Sequence, residues 1–406
     1  MTRFSELNKA VSNAAKVVFA SLKPRGKLLT PFNIVAGAIL GVGFYLTCRR
    51  AFFGIANVTN LSDDYPWGFW IGFDVMTGVA LSAGGFVTGS AVHLFGMKEY
   101  RSLVRPAILT GFLGYFFVVV GLLYDLGRPW RLPYPMFVSY GVTSVLFLVG
   151  WHVALYLSTQ FVEISPAILE WLGWKALRKL AVAVTIGATV FGVILSTLHQ
   201  SALGALFLLA PWKLHPLWYS PYIPILFFVS AIAAGMSMVI VEGSLAHRYY
   251  GDIMDQSHKD EHEKAVLGLS KGASVVLFSY FGIKIAGVAY GNHWDLLLTP
   301  YGYWFLFELL GFVVFPCFLY AIGYRNGRVS VVRFAALITV LGIFLNRLNV
   351  SVIAFNWHLP PERRYVPSWE ELGISLAIVT LGVLTYNWFV TRMPILSRHP
   401  DFEPEH

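Results

Sequence analysis

Ten long apolar runs divide this chain between residues 31 and 391. A helix of about 20 apolar residues crosses a bilayer, because lipid offers no partner for backbone amides and a helix satisfies them internally. Only 13% of the 406 residues are charged, against about 25% in soluble domains. The sequence therefore predicts an all-α polytopic membrane protein with about ten transmembrane helices, at 31–52, 66–96, 104–125, 135–161, 179–199, 221–247, 267–290, 300–323, 330–349 and 370–391.

The lysine and arginine residues indicate the direction of these spans. Of the 30, 21 lie in the N-terminal tail, the even-numbered loops or the C-terminal tail, 8 lie on the other side, and Lys284 is inside a span. Cytoplasmic loops carry an excess of positive charge. We therefore expect a multi-pass protein of the bacterial cytoplasmic (inner) membrane with both termini in the cytoplasm. The net charge of +8 lies in short loops, so we expect membrane lipid and no nucleic acid as a partner.

The first 30 residues are basic and have no continuous apolar core, so we expect no cleavable signal peptide. Apolar residues recur at helical spacing between residues 4 and 22. This pattern favours an amphipathic helix on the inner membrane surface. A disordered tail remains the alternative.

Ionisable residues at the outer ends of the spans are costly in lipid and are candidates for function. Asp74 lies near the outer start of the second run, Asp125 and Arg128 end the third, and His199 ends the fifth in STLHQSALG. We expect Asp74, Asp125 and His199 to share one depth and one face, where a carboxylate and an imidazole exchange protons. An Asp125–Arg128 salt bridge and a capping role for His199 are the simpler interpretations.

A second set of ionisable residues lies in the second half of the chain. Lys284 and Glu308 are inside spans, Arg347 and Asn349 close the ninth run, and Glu242 is near the inner end of the sixth run. The first three are expected to form a buried ion-pair cluster, which is either structural or part of a proton route. Glu242 is placed where a proton route would open to the cytoplasm.

The second run is rich in glycine, with Thr77, Ser82 and Thr88 among the small residues. Small residues let membrane helices approach closely, and packing is the simpler interpretation. A chain of hydroxyl groups and waters leading inward from Asp74 through Thr77 is the functional alternative.

Signatures of haem and metal binding are weak. Cys48 and Cys317 are the two cysteines, and no CxxC pattern occurs. His152 is expected to lie well inside the membrane and His199 at its outer edge, so the two would not face one haem. His258 and His262 lie in the charged stretch QSHKDEHEK, which indicates a solvated linker. We therefore expect no haem or metal in this chain.

Several motifs in order resemble one family. They are PWGFWIGFD, LVRPAIL, YDLGRPWRLPY, TLHQSALG, KLHPLW, EGSL, FELL and VPSWEELGIS, and they extend from the second run to the tenth. The chain resembles the NrfD/polysulfide-reductase superfamily of membrane subunits, and within it the HybB-type membrane subunit of periplasmic nickel–iron hydrogenases.

The resemblance implies two four-helix bundles with flanking helices, no haem or metal, and a quinone near the outer face. It divides the chain into a basic segment (1–30), a first helix and loop (31–65), a first bundle with the quinone site (66–210), a second bundle (211–350) and a last helix with a tail (351–406). A ferredoxin-like iron–sulfur subunit would dock outside, with hydrogenase, molybdopterin or multihaem cytochrome subunits beyond it.

Carried onto this sequence, the resemblance implies a menaquinone or ubiquinone site and a proton route. The quinone-side residues would be His199, Asp74, Asp125, Arg128, Gln200, Trp67 and Trp70. The route would use Asp74, Thr77, Glu242, Glu308, Lys284, Arg347 and Asn349. We expect a quinone-reactive subunit of a respiratory oxidoreductase that is not active alone. A proton-coupled secondary transporter and a passive membrane anchor are the alternatives.

Overall fold

The computed structural model describes residues 2–24, 29–254, 256–397 and 402, and the regular elements of this part of the chain are helices, with no β-strand. Ten of its helices are long and apolar enough to cross a membrane. The predicted fold class, an all-α polytopic membrane protein, is confirmed. We number these helices α1 (Pro31–Phe53), α2 (Trp70–His93), α3 (Arg101–Asp125), α4 (Val145–Trp171), α5 (Lys175–Ala205), α6 (Ile223–Tyr250), α7 (Gln256–Gly291), α8 (Pro300–Arg325), α9 (Val329–Ile353) and α10 (Trp369–Arg392).

The helices pack in two closed sets of four. In the first set α2 packs on α3, α3 on α4, α4 on α5, and α5 returns to α2. In the second set α6, α7, α8 and α9 close in the same way. Helix α2 also packs on α6, which joins the sets, and α10 lies between α1 and α3. Outer and inner below refer to the two predicted sides, and α2 begins at the outer one.

Three stretches within the membrane helices are π-helical, at Trp70–Thr77 in α2, Leu310–Val314 in α8 and Asn349–Ile353 in α9. A π-helical turn carries an extra residue and often occurs at functional sites. The first stretch contains Asp74, the third begins at Asn349, and the second begins two residues after Glu308. The polar residues singled out in the sequence therefore coincide with irregular helix geometry.

The fourth span differs most from its prediction. It was predicted at 135–161, and α4 starts ten residues later, at Val145. Residues 134–137 form a separate short turn of helix, and the loop up to Ser144 is largely exposed. The apolar aromatic residues of this loop extended the run in the sequence, although a turn from Gly141 to Ser144 separates them from the helix.

The N-terminal helix extends from Thr2 to Leu22. Of its described side chains, Ala14 and Ser21 are buried, whereas Val11 and Leu22 are exposed. Arg392 at the end of α10 donates hydrogen bonds to the carbonyl oxygens of Ser21 (2.7 Å) and Lys23 (3.2 Å). The helix is thus fixed against the inner end of α10.

Candidate functional site

A cavity of about 450 Å³ lies among α2, α3, α6 and α10. Its wall is mainly aliphatic and aromatic. Two carboxylic acids line it, Asp74 from α2 and Glu242 from α6. Along α6 the lining extends from Met238 to Tyr250, which is roughly 18 Å of helix. The cavity therefore follows the membrane normal over much of the bilayer, with one acid toward each end.

Asp74 is buried at the outer end of this cavity, where α2, α3 and α10 meet. Ser375 of α10 donates a hydrogen bond to its carboxylate. On the other side, a Cβ added at Gly121 of α3 would lie 2.7 Å from the Cβ of Asp74. The absence of a side chain at Gly121 lets α3 approach Asp74. Burying a carboxyl in this apolar setting is costly unless it has a role.

Glu242 is buried on the inner side of Asp74 in the same cavity, roughly 12 Å along α6 from the inner limit at Tyr250. Its Oε1 accepts a hydrogen bond from the hydroxyl of Tyr386 (2.6 Å), whereas Oε2 is buried without a hydrogen-bond partner. Ser375 and Tyr386 both belong to α10, so this last helix contacts both acids of the cavity. An unpaired buried carboxylate oxygen has capacity to accept a proton or a hydrogen bond.

His199 lies elsewhere, inside the first set of four helices. Its Nδ1 is 2.7 Å from the carbonyl oxygen of Leu195, and its Nε2 contacts the hydroxyl of Tyr115. A carbonyl oxygen only accepts, so Nδ1 carries the proton, and in a neutral ring Nε2 accepts from Tyr115. The ring of Tyr156 packs against it, with centroids 5.4 Å apart. In this arrangement His199 has no free N–H to offer a quinone carbonyl.

The predicted grouping of Asp74, Asp125 and His199 at one depth is therefore wrong. Asp74 lies against Gly121 and His199 against Tyr115, six residues earlier on α3, which is roughly 9 Å deeper. Among the described residues, no hydrogen bond joins these acids to His199. Sequence position located each helix end but not the face that each side chain occupies.

The other predicted quinone-side residues lie outside the cavity wall. Trp70 donates from Nε1 to the carbonyl oxygen of Glu371 (3.2 Å), and Trp67 packs against Phe207. Gln200 donates to the carbonyl oxygen of Val79 (3.1 Å), which ties α5 to α2. Arg128 is exposed. These side chains have structural contacts, and their predicted binding role stays a prediction.

Asp125 ends α3, and its cationic neighbour is Arg50 of α1, not Arg128. Arg50 donates to the carbonyl oxygens of Tyr124 (2.8 Å) and Leu123 (3.0 Å), and its charge acts on Asp125. The arginine thus caps the last carbonyls of α3. The Oδ1 atom of Asp125 is buried without a hydrogen-bond partner.

Two of the three hydroxyl groups singled out in α2 bond within their own helix. Thr77 donates to the carbonyl oxygen of Gly72 (2.8 Å), and Ser82 donates to that of Gly78 (2.7 Å). Each hydroxyl hydrogen is thus used within its own helix. Thr77 still lines the cavity beside Asp74. The packing interpretation of the small residues fits these contacts.

Glu308 is the centre of a buried polar cluster in the second set of helices. It accepts hydrogen bonds from Trp218 (2.7 Å), Asn346 (2.6 Å) and Asn349. Arg347 donates to Asn346 Oδ1 (2.7 Å), so it reaches Glu308 only through that amide. These amide and indole groups donate to both carboxylate oxygens of Glu308, which has no direct ion pair among the described residues.

The cations of this cluster pack on aromatic rings. The Arg347 guanidinium lies 3.8 Å from the ring centroid of Phe227 and donates to Ser230 (2.8 Å). The Lys284 ammonium lies 5.4 Å from the ring centroid of Phe305. Among the described residues no ion pair joins Lys284 or Arg347 to Glu308, so the expected ion-pair cluster is a hydrogen-bonded one. Cation–π contact partly replaces the lost hydration.

The outer loop between α5 and α6 is held by His215. Its ring stacks on Tyr301 (centroids 4.7 Å apart), and its Nδ1 accepts from the amide of Leu217 (3.2 Å). Its own amide donates to the carbonyl oxygen of Ala354 (2.9 Å). Burial lowers the pKa of His215 to about 4, and the charge of His293 adds to this effect. The imidazole of His215 is therefore neutral in the folded loop.

The depth predicted for His152 is wrong. Helices α4 and α5 are antiparallel neighbours, so the start of α4 and the end of α5 lie on one side. His152 is seven residues into α4, and His199 is six residues before the end of α5. Depth therefore does not separate them.

The charged stretch before the seventh span is helical rather than a solvated linker. Helix α7 begins at Gln256, and His262 in its second turn is fully buried. The side chain of His258 is outside the described residues. Within the described residues, no group of three or more His, Cys, Asp or Glu side chains is arranged to hold a metal ion.

With the helices and the cavity described, comparison with known proteins identifies the family. The family model for polysulphide reductase, NrfD, matches residues 57–355. The chain belongs to the NrfD family. The resemblance predicted from the motifs is confirmed, and the match spans both sets of four helices.

Three relatives align along most of the chain. A protein of Nitratidesulfovibrio vulgaris is 56% identical over 379 residues, covering 93% of this chain and 98% of the relative. The "Probable Ni/Fe-hydrogenase 2 b-type cytochrome subunit" of Escherichia coli is 30% identical, covering 91% and 94%. The "Menaquinone reductase, integral membrane subunit" of N. vulgaris is 26% identical, covering 89% and 90%. NrfD-family relatives thus include membrane subunits of redox complexes.

The expectation that this chain carries no haem is contradicted by the Escherichia coli relative, because that protein is named as a b-type cytochrome subunit, which is a haem protein. Bis-histidine ligation needs a free ring nitrogen on each imidazole. His152 has a buried Nδ1 without a partner, but both nitrogens of His199 are engaged by Leu195 and Tyr115. As they lie, these two side chains do not fit one haem iron.

Sequence reasoning missed the contribution of α10. Ser375 and Tyr386 reach Asp74 and Glu242, and Glu371 accepts from the amides of Ser368 (2.8 Å) and Asn60 (3.3 Å). These residues are 4 and 11 positions apart along α10, which places them on one face. That spacing was visible in the sequence, but Asp74 and Glu242, the partners of Ser375 and Tyr386, lie 301 and 144 residues away.

Proposed function

We propose that this chain is the quinone-reactive membrane subunit of a respiratory oxidoreductase complex. The cavity carries the proposal, because it is apolar, lies within the membrane and has Asp74 at its outer end. Ligand sites are typically apolar clefts of about 300–1,000 Å³ with a few convergent polar groups. Menaquinone, the substrate named for one relative, combines an apolar ring and chain with two carbonyl acceptors, as ubiquinone also does.

We place the quinone ring beside Asp74 and its chain along the apolar wall toward α6. Protonated Asp74 would donate a hydrogen bond to a ring carbonyl, and Ser375 would hold the carboxyl in position. Reduction of a quinone takes two electrons and two protons, so a proton-exchanging group must stand where the electrons arrive. We propose that electrons come from an iron–sulfur partner at the outer face, which Asp74 approaches within about two turns of helix.

Glu242 at the opposite end of the cavity is the candidate for proton supply from the inner side. Its unpaired Oε2 and its contact with Tyr386 favour this role over a purely structural one. The Glu308 cluster has hydrogen-bond partners for both carboxylate oxygens, which supports a structural role for it. A passive anchor would need no unpaired acid at this depth.

Filling the cavity tests the proposal. Val379 of α10 lines the cavity and is 44% exposed. We expect Val379→Trp to raise the Kd of the detergent-solubilised chain for menaquinone-4 at least tenfold, measured by quenching of tryptophan fluorescence, because the indole occupies the space of the quinone. Val184→Trp on α5 is the matched control, since Val184 is 46% exposed and does not line the cavity. An unchanged Kd in Val379→Trp would refute this location.

A further inference from the structure

The buried histidine at the start of α7 has no place in the quinone site. His262 has no exposed surface, although the residues before it are charged. Histidine titrates near neutral pH and transfers protons more readily than other side chains do. A fully buried imidazole at the inner end of two packed membrane helices is therefore a candidate for a proton-transfer group.

The position of His262 is fixed by a glycine beside Glu242. A Cβ added at Gly243 would lie 2.6 Å from Nε2 of His262. The imidazole thus occupies the space that a side chain at position 243 would take. Gly243 follows Glu242 directly on α6, so the ring packs against the helix backbone one residue from the acid.

His247 continues the path toward the inner surface. It is one helical turn after Gly243 and on the same face of α6. Its ring stacks on that of His262, with centroids 5.4 Å apart and planes at 29°. His247 is partly exposed, and its Nδ1 is buried without a partner. One imidazole of the pair therefore reaches solvent while the other is enclosed.

Beside Gly243, the space next to Glu242 is too small for a column of water. A second cavity lined by Glu242, Gly243 and Ala246 has a volume of about 10 Å³. This is close to the lower limit for a single water molecule. A proton that reaches Glu242 past Gly243 needs a side chain to carry it.

We infer that His262 and His247 form the inner proton entry to Glu242. The inference rests on the proposed quinone function. His262, in its imidazolium form, gives one proton to the Glu242 carboxylate, and the neutral imidazole regains a proton from cytoplasmic water through His247. No electron moves in this step. Tyr386 holds the receiving carboxylate through Oε1, which leaves Oε2 as the accepting atom.

The experiment uses the chain with its co-purifying subunits in liposomes, with menaquinone-4 as the quinone. Proton uptake from the side of the inner loops is followed with pyranine, and Kd for menaquinone-4 is measured in detergent. We expect His262→Gln to slow proton uptake at least tenfold and leave Kd unchanged, because glutamine keeps the polar volume but does not carry a proton. His358→Gln, on an exposed outer loop, should change neither.

A second variant guards against misfolding of His262→Gln. Gly243→Ala leaves every titratable group in place but displaces the imidazole, so it should also slow uptake. Undiminished uptake in a folded His262→Gln or Gly243→Ala protein, with Kd intact, overturns the inference alone. Failure of the parent protein to bind menaquinone-4 overturns the proposed function, and this inference with it.

Discussion

At the residue scale, His215 shows how burial of one imidazole makes a loop sensitive to pH. Its pKa is lowered to about 4 in the folded loop, whereas an exposed histidine has a pKa of about 6.5. Between these values the unfolded chain binds the extra proton, so stability is present above about pH 6.5 and is lost as pH falls toward 4. As pH falls through this range, we expect this residue to lower the free energy of unfolding by up to about 1.4 kcal/mol per pH unit.

Thermal unfolding of the detergent-solubilised protein at pH 7, 6 and 5 measures this effect. His215→Asn should make the midpoint less dependent on pH over this range, because asparagine does not titrate. His358→Asn is the control, since His358 is exposed and should keep the parent slope. Equal slopes in His215→Asn and the parent would contradict the assignment.

Single residues also show the limit of inference from sequence. The position of Asp74 near the outer end of α2 was predictable, because hydropathy sets the ends of a span. Its partner Ser375 was not, since the contact joins residues 301 positions apart. His262 was misassigned because its neighbours are charged, although the helix turns it toward Gly243.

At the element scale, the contact of α2 with α3 depends on a residue without a side chain. Gly121 lets the backbone of α3 approach Asp74, and an added Cβ would lie 2.7 Å from the Cβ of Asp74. We expect Gly121→Ala to destabilise the protein by about 1–3 kcal/mol, the usual effect of overpacking. Gly127→Ala is the matched control, because nothing lies within 4 Å of its added Cβ. Unfolding in a titration with SDS measures the stability of both variants. Equal stability of the two would contradict the prediction, because α3 would then shift freely to accept the added methyl group.

The helices themselves were largely predictable, whereas their contacts were not. Ten spans follow from hydropathy because each must satisfy its own backbone in lipid. The start of α4 was missed because aromatic residues in the loop before it extended the apolar run. The relative depth of His152 and His199 depends on the antiparallel packing of α4 on α5. Hydropathy does not reveal which helices pack together.

At the scale of the whole molecule, the proposed mechanism requires a defined orientation in the membrane. Electrons must reach the Asp74 end and protons the Glu242 end, so these ends must face opposite compartments. The distribution of 21 positive residues against 8 predicts that the Glu242 end faces the cytoplasm. Both acids line one cavity, so an inverted chain would bring the iron–sulfur partner to the wrong end.

Single cysteines report this orientation in intact cells. With Cys48 and Cys317 replaced by serine, we expect a membrane-impermeant maleimide to label Asp63→Cys, in the exposed loop before α2, without cell lysis. Asp252→Cys, exposed after α6, should react only once the membrane is opened. The reverse pattern would place Glu242 outside, and proton uptake through His262 would then draw on the external compartment. Because the helices are fixed relative to one another, two cysteines suffice to orient the cavity and both of its acids.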